Sequence, residues 1–532
     1  MRTIPSRIVC SLVLVLAAGC GGCRSKEIER SGPGAFFPPG APAFVAIEEP
    51  KLLSAVAALL GAGLADATAL VGEDPLAPVV RELGFDPRTP EGFYSVGLDP
   101  ERSMAIGLDA EDRRLAVFAV RDAGAAERWM EEQARRRGGR VRTERTYAPE
   151  EGKPRAVVAY LDPKGRVRLA HALAGRWLVA AEGEAAVETV GAALARAEAD
   201  SLVATQAYAS LRKSVGENRS VWGWLPPPPK GKRAGMRLAE RGASFGATVR
   251  EKELDVRVRL PQGTMALSVL QSAASVKEGE SLLPYLSKDD FLLVRLGGDA
   301  QAFEPLLRDF TPYRRLRRAG FDPATEILPL VEPGVVMGIS LQPEPNLAAG
   351  LPGGASLART NPFQLVRTSI LARVKDPAKA RAALERLAEL DDRLQMEIRT
   401  RGEGEQTIWT AHYAAGEGLS WTLRGNLLMA GGGESAFFGL AERIEGGGVA
   451  YEPADPKAFE LFGSQPLGVY LDVPRLVAQL RAIPESAFGI GGFRIKGLLD
   501  GWISAIEPLR GLALAYHVDN EAIVLDARLA IE

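Results

Sequence analysis

The sequence predicts an α+β fold of mostly antiparallel sheets with helices on one face, and it predicts that fold twice. Three observations carry this. Short alternating apolar segments are separated by turn residues, as hairpin strands are. Helical segments are interposed irregularly rather than after every strand, which disfavours a parallel sheet. Four sequence blocks also recur in the same order along the chain.

In the first copy, Ala43 to Ile47 is a strand, followed by helical sequence and the turn Leu83-Gly84-Phe85-Asp86-Pro87. Asp bonds its own backbone ahead and Pro fixes φ, so Asp-Pro punctuates well. Strands at Met104 to Leu108 and Arg114 to Val120 come next, and Asp122 stands where a helix needs its N-cap, before Ala123 to Arg137. Arg140 to Tyr147, Arg155 to Leu161 and Val167 to Ala172 read as strands leading into Gly175-Arg176-Trp177-Leu178-Val179. Helices after Glu184 and around Tyr208 follow. The copy closes on a hairpin, Gly242 to Leu260, in which Glu253 to Leu260 alternates apolar with polar residues, so one side of it is wet.

The second copy answers in order. Phe291 to Leu296 matches the first strand, Ala319-Gly320-Phe321-Asp322-Pro323 the turn, and Gly425-Asn426-Leu427-Leu428-Met429 the Gly175 block. Ser220 to Leu225 corresponds to Leu467 to Leu471, and the closing hairpin to Gly511 to Leu529. Asp376 takes the place of Asp122. The predicted repeats cover residues 41–262 and 285–532. The second also carries a Gly- and Pro-rich stretch, Gln342 to Thr360, expected to be a mobile loop, whereas the first has the stiff run Pro226 to Pro229.

The N-terminus reads as an address. Arg2 and Arg7 precede the apolar run Ile8 to Leu16, too short to span a bilayer as a mature helix, and Ala17-Ala18-Gly19-Cys20 follows. This resembles the lipobox of bacterial lipoproteins, with Ala17 where that family usually has Leu. The resemblance implies a signal peptide at 1–19, cleavage before Cys20, acylation of its thiol and a flexible tether over 20–40. The duplicated layout is similar to large, functionally uncharacterised duplicated lipoproteins of bacterial envelopes, a resemblance that carries no site motif. Beyond the signal, the best apolar stretch, Leu52 to Gly72, is broken by Asp66 and suits an amphipathic helix better than a membrane span.

Composition narrows the function. Cys10, Cys20 and Cys23 are the three cysteines, so disulfides cannot hold the repeats, and 46% hydrophobic residues make an adequate core without them. With 65 basic and 67 acidic residues the chain is nearly neutral, and Arg135 to Arg137 and Lys230 to Arg233 have acidic neighbours, so nucleic acid is disfavoured.

Motifs for catalysis fail on context. Gly242-Ala243-Ser244-Phe245-Gly246 fits G-x-S-x-G, but a strand follows it where a nucleophile elbow needs a helix. Ser210 and Lys213 fit S-x-x-K without the companion triplets of penicillin-binding enzymes. His171, His412 and His517 have no second ligand at metal spacing, and the glycine runs 431–433 and 446–448 lack the lysine and hydroxyl of a phosphate loop. No catalytic residue, metal or cofactor is therefore assigned.

The predicted function is a non-enzymatic, membrane-anchored envelope lipoprotein that binds a protein partner or an apolar ligand. The alternative is a lipoprotein hydrolase whose site is assembled in space. Cys20 is the lipid attachment point. The second copy alone holds an apolar insertion from about Pro474 to Pro508. Within it, Phe488, Phe493, Leu499 and Trp502 form the candidate binding patch, or else a satellite core.

Overall fold

A computed structural model describes residues 30–50, 77–147, 154–215, 219–226, 242–250, 252–261, 281–304, 308, 311–342, 365–390, 397–413, 416–432, 434–488, 492–519 and 522–531. Cys20 and its signal, the predicted helix at Leu52 to Gly72, and nearly all of the two Pro-containing stretches after Gln342 and Pro226 lie outside them. The chain divides into two compact units, Met1–Leu260 and Pro261–Glu532.

The first unit contains β1 (Phe44–Ile47), α1 (Ala77–Leu83), α2 (Pro90–Ser95), β2 (Met104–Leu108), β3 (Arg114–Ala119), α3 (Ala123–Arg136), β4 (Val141–Tyr147), β5 (Arg155–Leu161), β6 (Val167–Ala174) and β7 (Trp177–Glu182). It continues with α4 (Ala186–Ala195), α5 (Gln206–Val215), β8 (Val221–Leu225), β9 (Ala243–Arg250) and β10 (Glu253–Pro261). All pairings are antiparallel, in the order β10-β9-β8-β1-β2-β3-β7-β6-β5-β4. Local chemistry sets the joints. Asp122 caps α3 by accepting from the Ala125 amide at 3.0 Å, as the sequence predicted. Gly175, at φ 59°, opens the two-residue loop between β6 and β7, a left-handed position that costs glycine little.

The helices do not lie on one face. Leu115, Val117 and Val179 pack with α4, α5 and the turn Pro33–Phe36, whereas Ala116, Phe118 and Leu178 pack on the opposite side with α1, α2 and α3. The reason is written in β3. Leu115 to Ala119 is apolar at every position, and a strand buried on both sides does not alternate.

From Arg30 on, the tether expected over 20–40 gives way to structure, while residues 20–29 lie outside the described residues. Phe36 and Phe37 are wholly buried in the first core. Arg30 donates to the carbonyls of Ala35 (2.6 Å), Leu194 (3.1 Å) and Arg196 (2.7 Å), with its guanidinium 4.2 Å from the Phe36 ring centre. Pro33-Gly34-Ala35-Phe36-Phe37 is thus core sequence, its two aromatic rings outweighing the turn-forming look of its prolines and glycines.

The second unit contains β11 (Leu292–Leu296), α6 (Thr311–Ala319), α7 (Pro323–Glu326), β12 (Val335–Leu341), β13 (Val366–Arg373), α8 (Pro377–Ala388), β14 (Glu397–Arg401), β15 (Ile408–Tyr413), β16 (Gly416–Arg424) and β17 (Leu427–Gly432). Then come α9 (Glu434–Glu445), α10 (Pro456–Ser464), β18 (Leu467–Asp472), α11 (Val473–Ala482), α12 (Gly492–Ile506), β19 (Leu509–Asp519) and β20 (Ala522–Ile531). Its strands run antiparallel in the order β20-β19-β18-β11-β12-β13-β17-β16-β15-β14. Again both faces are covered. Leu371, Met429 and Tyr470 meet α9 and α10, while Trp409, Trp421 and Leu423 meet α8 on the other side. No helix among the described residues is long and apolar enough to cross a membrane.

Candidate functional site

Between β18 and β19, where the sequence reading places its insertion, lie α11 and α12, which grow from the last residue of β18. Asp472 is completely buried, a costly place for a carboxylate unless it is fully engaged. Its Oδ2 accepts from the Arg475 guanidinium at 2.6 Å and the Ala454 amide at 3.0 Å, with the Tyr451 and Tyr470 hydroxyls each at 3.5 Å. Its Oδ1 caps α11 through the Arg475 amide at 3.2 Å. Arg475 in turn lies 4.2 Å from the Tyr451 ring centre. Burial, reinforced by the Asp472 charge, pushes both tyrosine hydroxyls well above their usual range.

Tyr451 ties this cluster to Asp290 by donating to its backbone carbonyl at 2.7 Å. The Asp290 carboxyl is itself buried, accepts from the Ser287 amide at 2.8 Å, and is pushed up to about 6, chiefly by desolvation. A Cβ on Gly338 would sit 2.0 Å from its Oδ2, so β12 must carry glycine there. Every one of these carboxylates therefore engages protein donors. The cluster reads as the root of the insertion, and it can hold protons and position helices.

Above that root, Val473 and Val477 of α11 and Ile503 of α12 are buried together, with Leu471, Leu480, Leu499, Ile506 and Leu509 packed around them. Gln479 fixes α11 to the sheet by accepting from the Leu341 amide at 2.7 Å and donating to the Asp289 carbonyl. Lys496 of α12 donates to the Arg481 and Ile483 carbonyls, both at 3.2 Å, satisfying the end of α11. Of the four patch residues, the two whose side chains are described separate. Leu499 belongs to the satellite core, whereas Trp502 is 61% exposed. The side chains of Phe488 and Phe493 lie outside the described residues. On the helix, Trp502 stands about 60° from Leu499 and about 40° from Ile506, at the edge of the packed stripe. An exposed indole continuous with an apolar seam is the kind of surface a partner or lipid recognises.

The remaining sequence candidates are dispersed. His171 stacks on Tyr160 with ring centres 5.9 Å apart, His412 lies in β15 opposite Glu397, and His517 Nδ1 is 3.9 Å from Asp526. No group of three metal-ligating side chains occurs among the described residues. Ser244 sits inside β9 between Trp224 and Arg259, a strand position that offers no nucleophile elbow. Ser210 and Lys213 are exposed on α5. In the sequence Asp289-Asp290 reads as a solvated carboxylate pair, whereas Asp290 is buried by the fold, and Asp472 is not singled out. The one available signal was Asp472-Val473-Pro474, an N-cap followed by an early proline.

No family model matches the chain, and no curated protein sequence matches it. Solved structures similar to it include crystal forms III and IV of TP0453. They are 9% and 8% identical, cover 47% and 51% of this chain and 90% and 96% of theirs, and have TM-scores of 0.24 and 0.25, at which the likeness carries no argument.

Proposed function

We propose that the chain is a non-enzymatic lipoprotein of a bacterial envelope, anchored through acylated Cys20, whose duplicated α+β units form a scaffold for binding a protein partner or apolar ligand through the α11 and α12 insertion. The observation that carries the binding reading is Trp502, a large apolar side chain in solvent on a helix whose neighbouring apolar residues are packed. The anchoring reading rests on Ala17-Ala18-Gly19-Cys20. Duplication is supported by strand orders that correspond one for one, with Phe118 paired to Leu178 in the first unit and Ala372 to Leu428 in the second.

Two experiments test this separately. Cys20→Ser abolishes labelling by a fatty-acid probe and releases the protein from membranes; continued labelling would defeat the anchor. Crosslinking from a photoreactive residue at position 502 in intact cells recovers a lipid or one envelope protein, and recovery of neither defeats the assigned surface.

A further inference from the structure

Several arginines on helices of this chain have carboxylate partners nearby. At the end of α3, Arg135 pairs with Glu131 at 2.5 Å, Arg136 with Glu132 at 3.2 Å, and the C-cap Arg137 with Glu82 at 3.2 Å. Helix α6 differs in carrying four arginines within five residues. Its sequence is Thr311-Pro312-Tyr313-Arg314-Arg315-Leu316-Arg317-Arg318-Ala319. Tyr313 and Ala319 are buried and Leu316 half-buried, so the helix is seated by one side, and the Tyr313 hydroxyl holds Glu304 and Asp322, each at 3.3 Å. All four arginines are exposed on the other side.

The described acids nearby are taken. Asp322 pairs with Arg317 at 3.2 Å and Glu304 with Arg308, which leaves Arg314, Arg315 and Arg318 without an ion pair or side-chain hydrogen bond among the described residues. Arg314 and Arg318 stand four apart on one helical face, where like charges repel and destabilise. In a chain of net charge −2, three arginines on little more than one turn, with no carboxylate paired to them among the described residues, are a concentrated positive field.

We propose that this arginine face of α6 docks on an anionic phospholipid surface. Guanidinium groups fork onto phosphate oxygens, and basic residues on a seated amphipathic helix are drawn to acidic headgroups. The occupant follows from the tether. If Cys20 is acylated, as proposed above, a membrane is the polyanion the protein meets at all times, so this inference rests on that reading. Among the described residues the face exposes no aromatic ring for base stacking, since Tyr313 is turned inward, which disfavours single-stranded nucleic acid.

The test uses the full chain carrying Cys20→Ser, so that no acyl group can anchor it, sedimented with phosphatidylcholine vesicles with or without phosphatidylglycerol. Binding should require phosphatidylglycerol and weaken as salt is raised. The triple variant Arg314→Gln, Arg315→Gln, Arg318→Gln should lose roughly 100-fold in partitioning with its melting temperature retained, while Arg317→Gln changes binding far less. Equal binding by the triple variant, or equal binding to pure phosphatidylcholine, would overturn the proposal. So would tighter binding to soluble polyglutamate than to phosphatidylglycerol vesicles, which would assign the face to an acidic protein. Should native Cys20 prove unmodified while these vesicle results hold, the anchor reading falls and the docking face stands.

Discussion

Arg475 places its guanidinium 2.6 Å from the carboxylate of Asp472, one partly solvated at 23% exposure and the other wholly buried. That asymmetry makes the two halves of the pair unequal. Arg475→Ala strands a charge with no water to receive it and is expected to cost about 3–5 kcal/mol. Asp472→Asn keeps the helix cap and leaves an arginine that can turn to solvent, so it should cost about 1–2 kcal/mol, mostly a lost charged hydrogen bond. Urea midpoints of the two variants check the order, and equal losses would show that the ion pair is not the source.

Asp290 makes stability fall as pH rises. Its carboxyl, at about 6 in the fold against 3.8 in an open chain, holds its proton in the native state over a window in which the unfolded chain has released it. The native state therefore binds more protons between about pH 4 and 6, and by linkage stability is lost across that window and flat outside it. Arg443 nearby favours the ionised form and Asp289 opposes it, but burial is the largest effect. Asp290→Asn should remove this slope and stabilise the protein at pH 7.5 by an amount on the order of 3 kcal/mol. Melting curves of both proteins from pH 4 to 8 decide it; parallel curves would count against a buried, proton-holding Asp290.

Much of the fold was legible wherever its cause is local. The Gly175 and Gly425 blocks sit at φ 59° and 54° in two-residue hairpin loops, and Asp122 and Asp376 accept from the Ala125 and Lys379 amides. What escaped is set by distant packing. The two-sided burial of Leu115 to Ala119 is not announced by its residues, since a short apolar run does not say how many layers cover it. The contact between Tyr451 and Asp290 joins residues far apart in sequence, and no spacing rule announces such a cluster. The arginines of α6 were visible as letters, but which of them is paired depends on where Glu304 and Asp322 point.

The segment before β1 should behave as part of the first core. Phe37 is fully buried, its ring 5.1 Å from that of Phe44 at 85° between planes. Phe37→Ala is expected to cost about 3–5 kcal/mol through lost transfer energy and the cavity left behind. Arg30→Ala, which removes three hydrogen bonds to backbone carbonyls, should speed hydrogen exchange at Ala35 and Phe37 with a smaller global loss. Unchanged stability in Phe37→Ala would return residues 33–37 to the tether.

The insertion offers the sharpest contrast, because adjacent residues on α12 have opposite surroundings. Ile503 is 1% exposed in the satellite core and Trp502 is 61% exposed beside it. Ile503→Ala should therefore cost about 2–5 kcal/mol, the usual loss for a buried aliphatic chain. Trp502→Asp meets no cavity and strands no charge, so its stability change should stay within about 0.5 kcal/mol. Binding should respond in the reverse sense: Trp502→Asp weakens capture of a partner or apolar ligand while the fold persists, and its indole contributes a red-shifted emission that moves to the blue on binding. If Trp502→Asp instead melts the hairpin, the indole is a structural prop. If it changes neither stability nor capture, the insertion binds nothing through this residue.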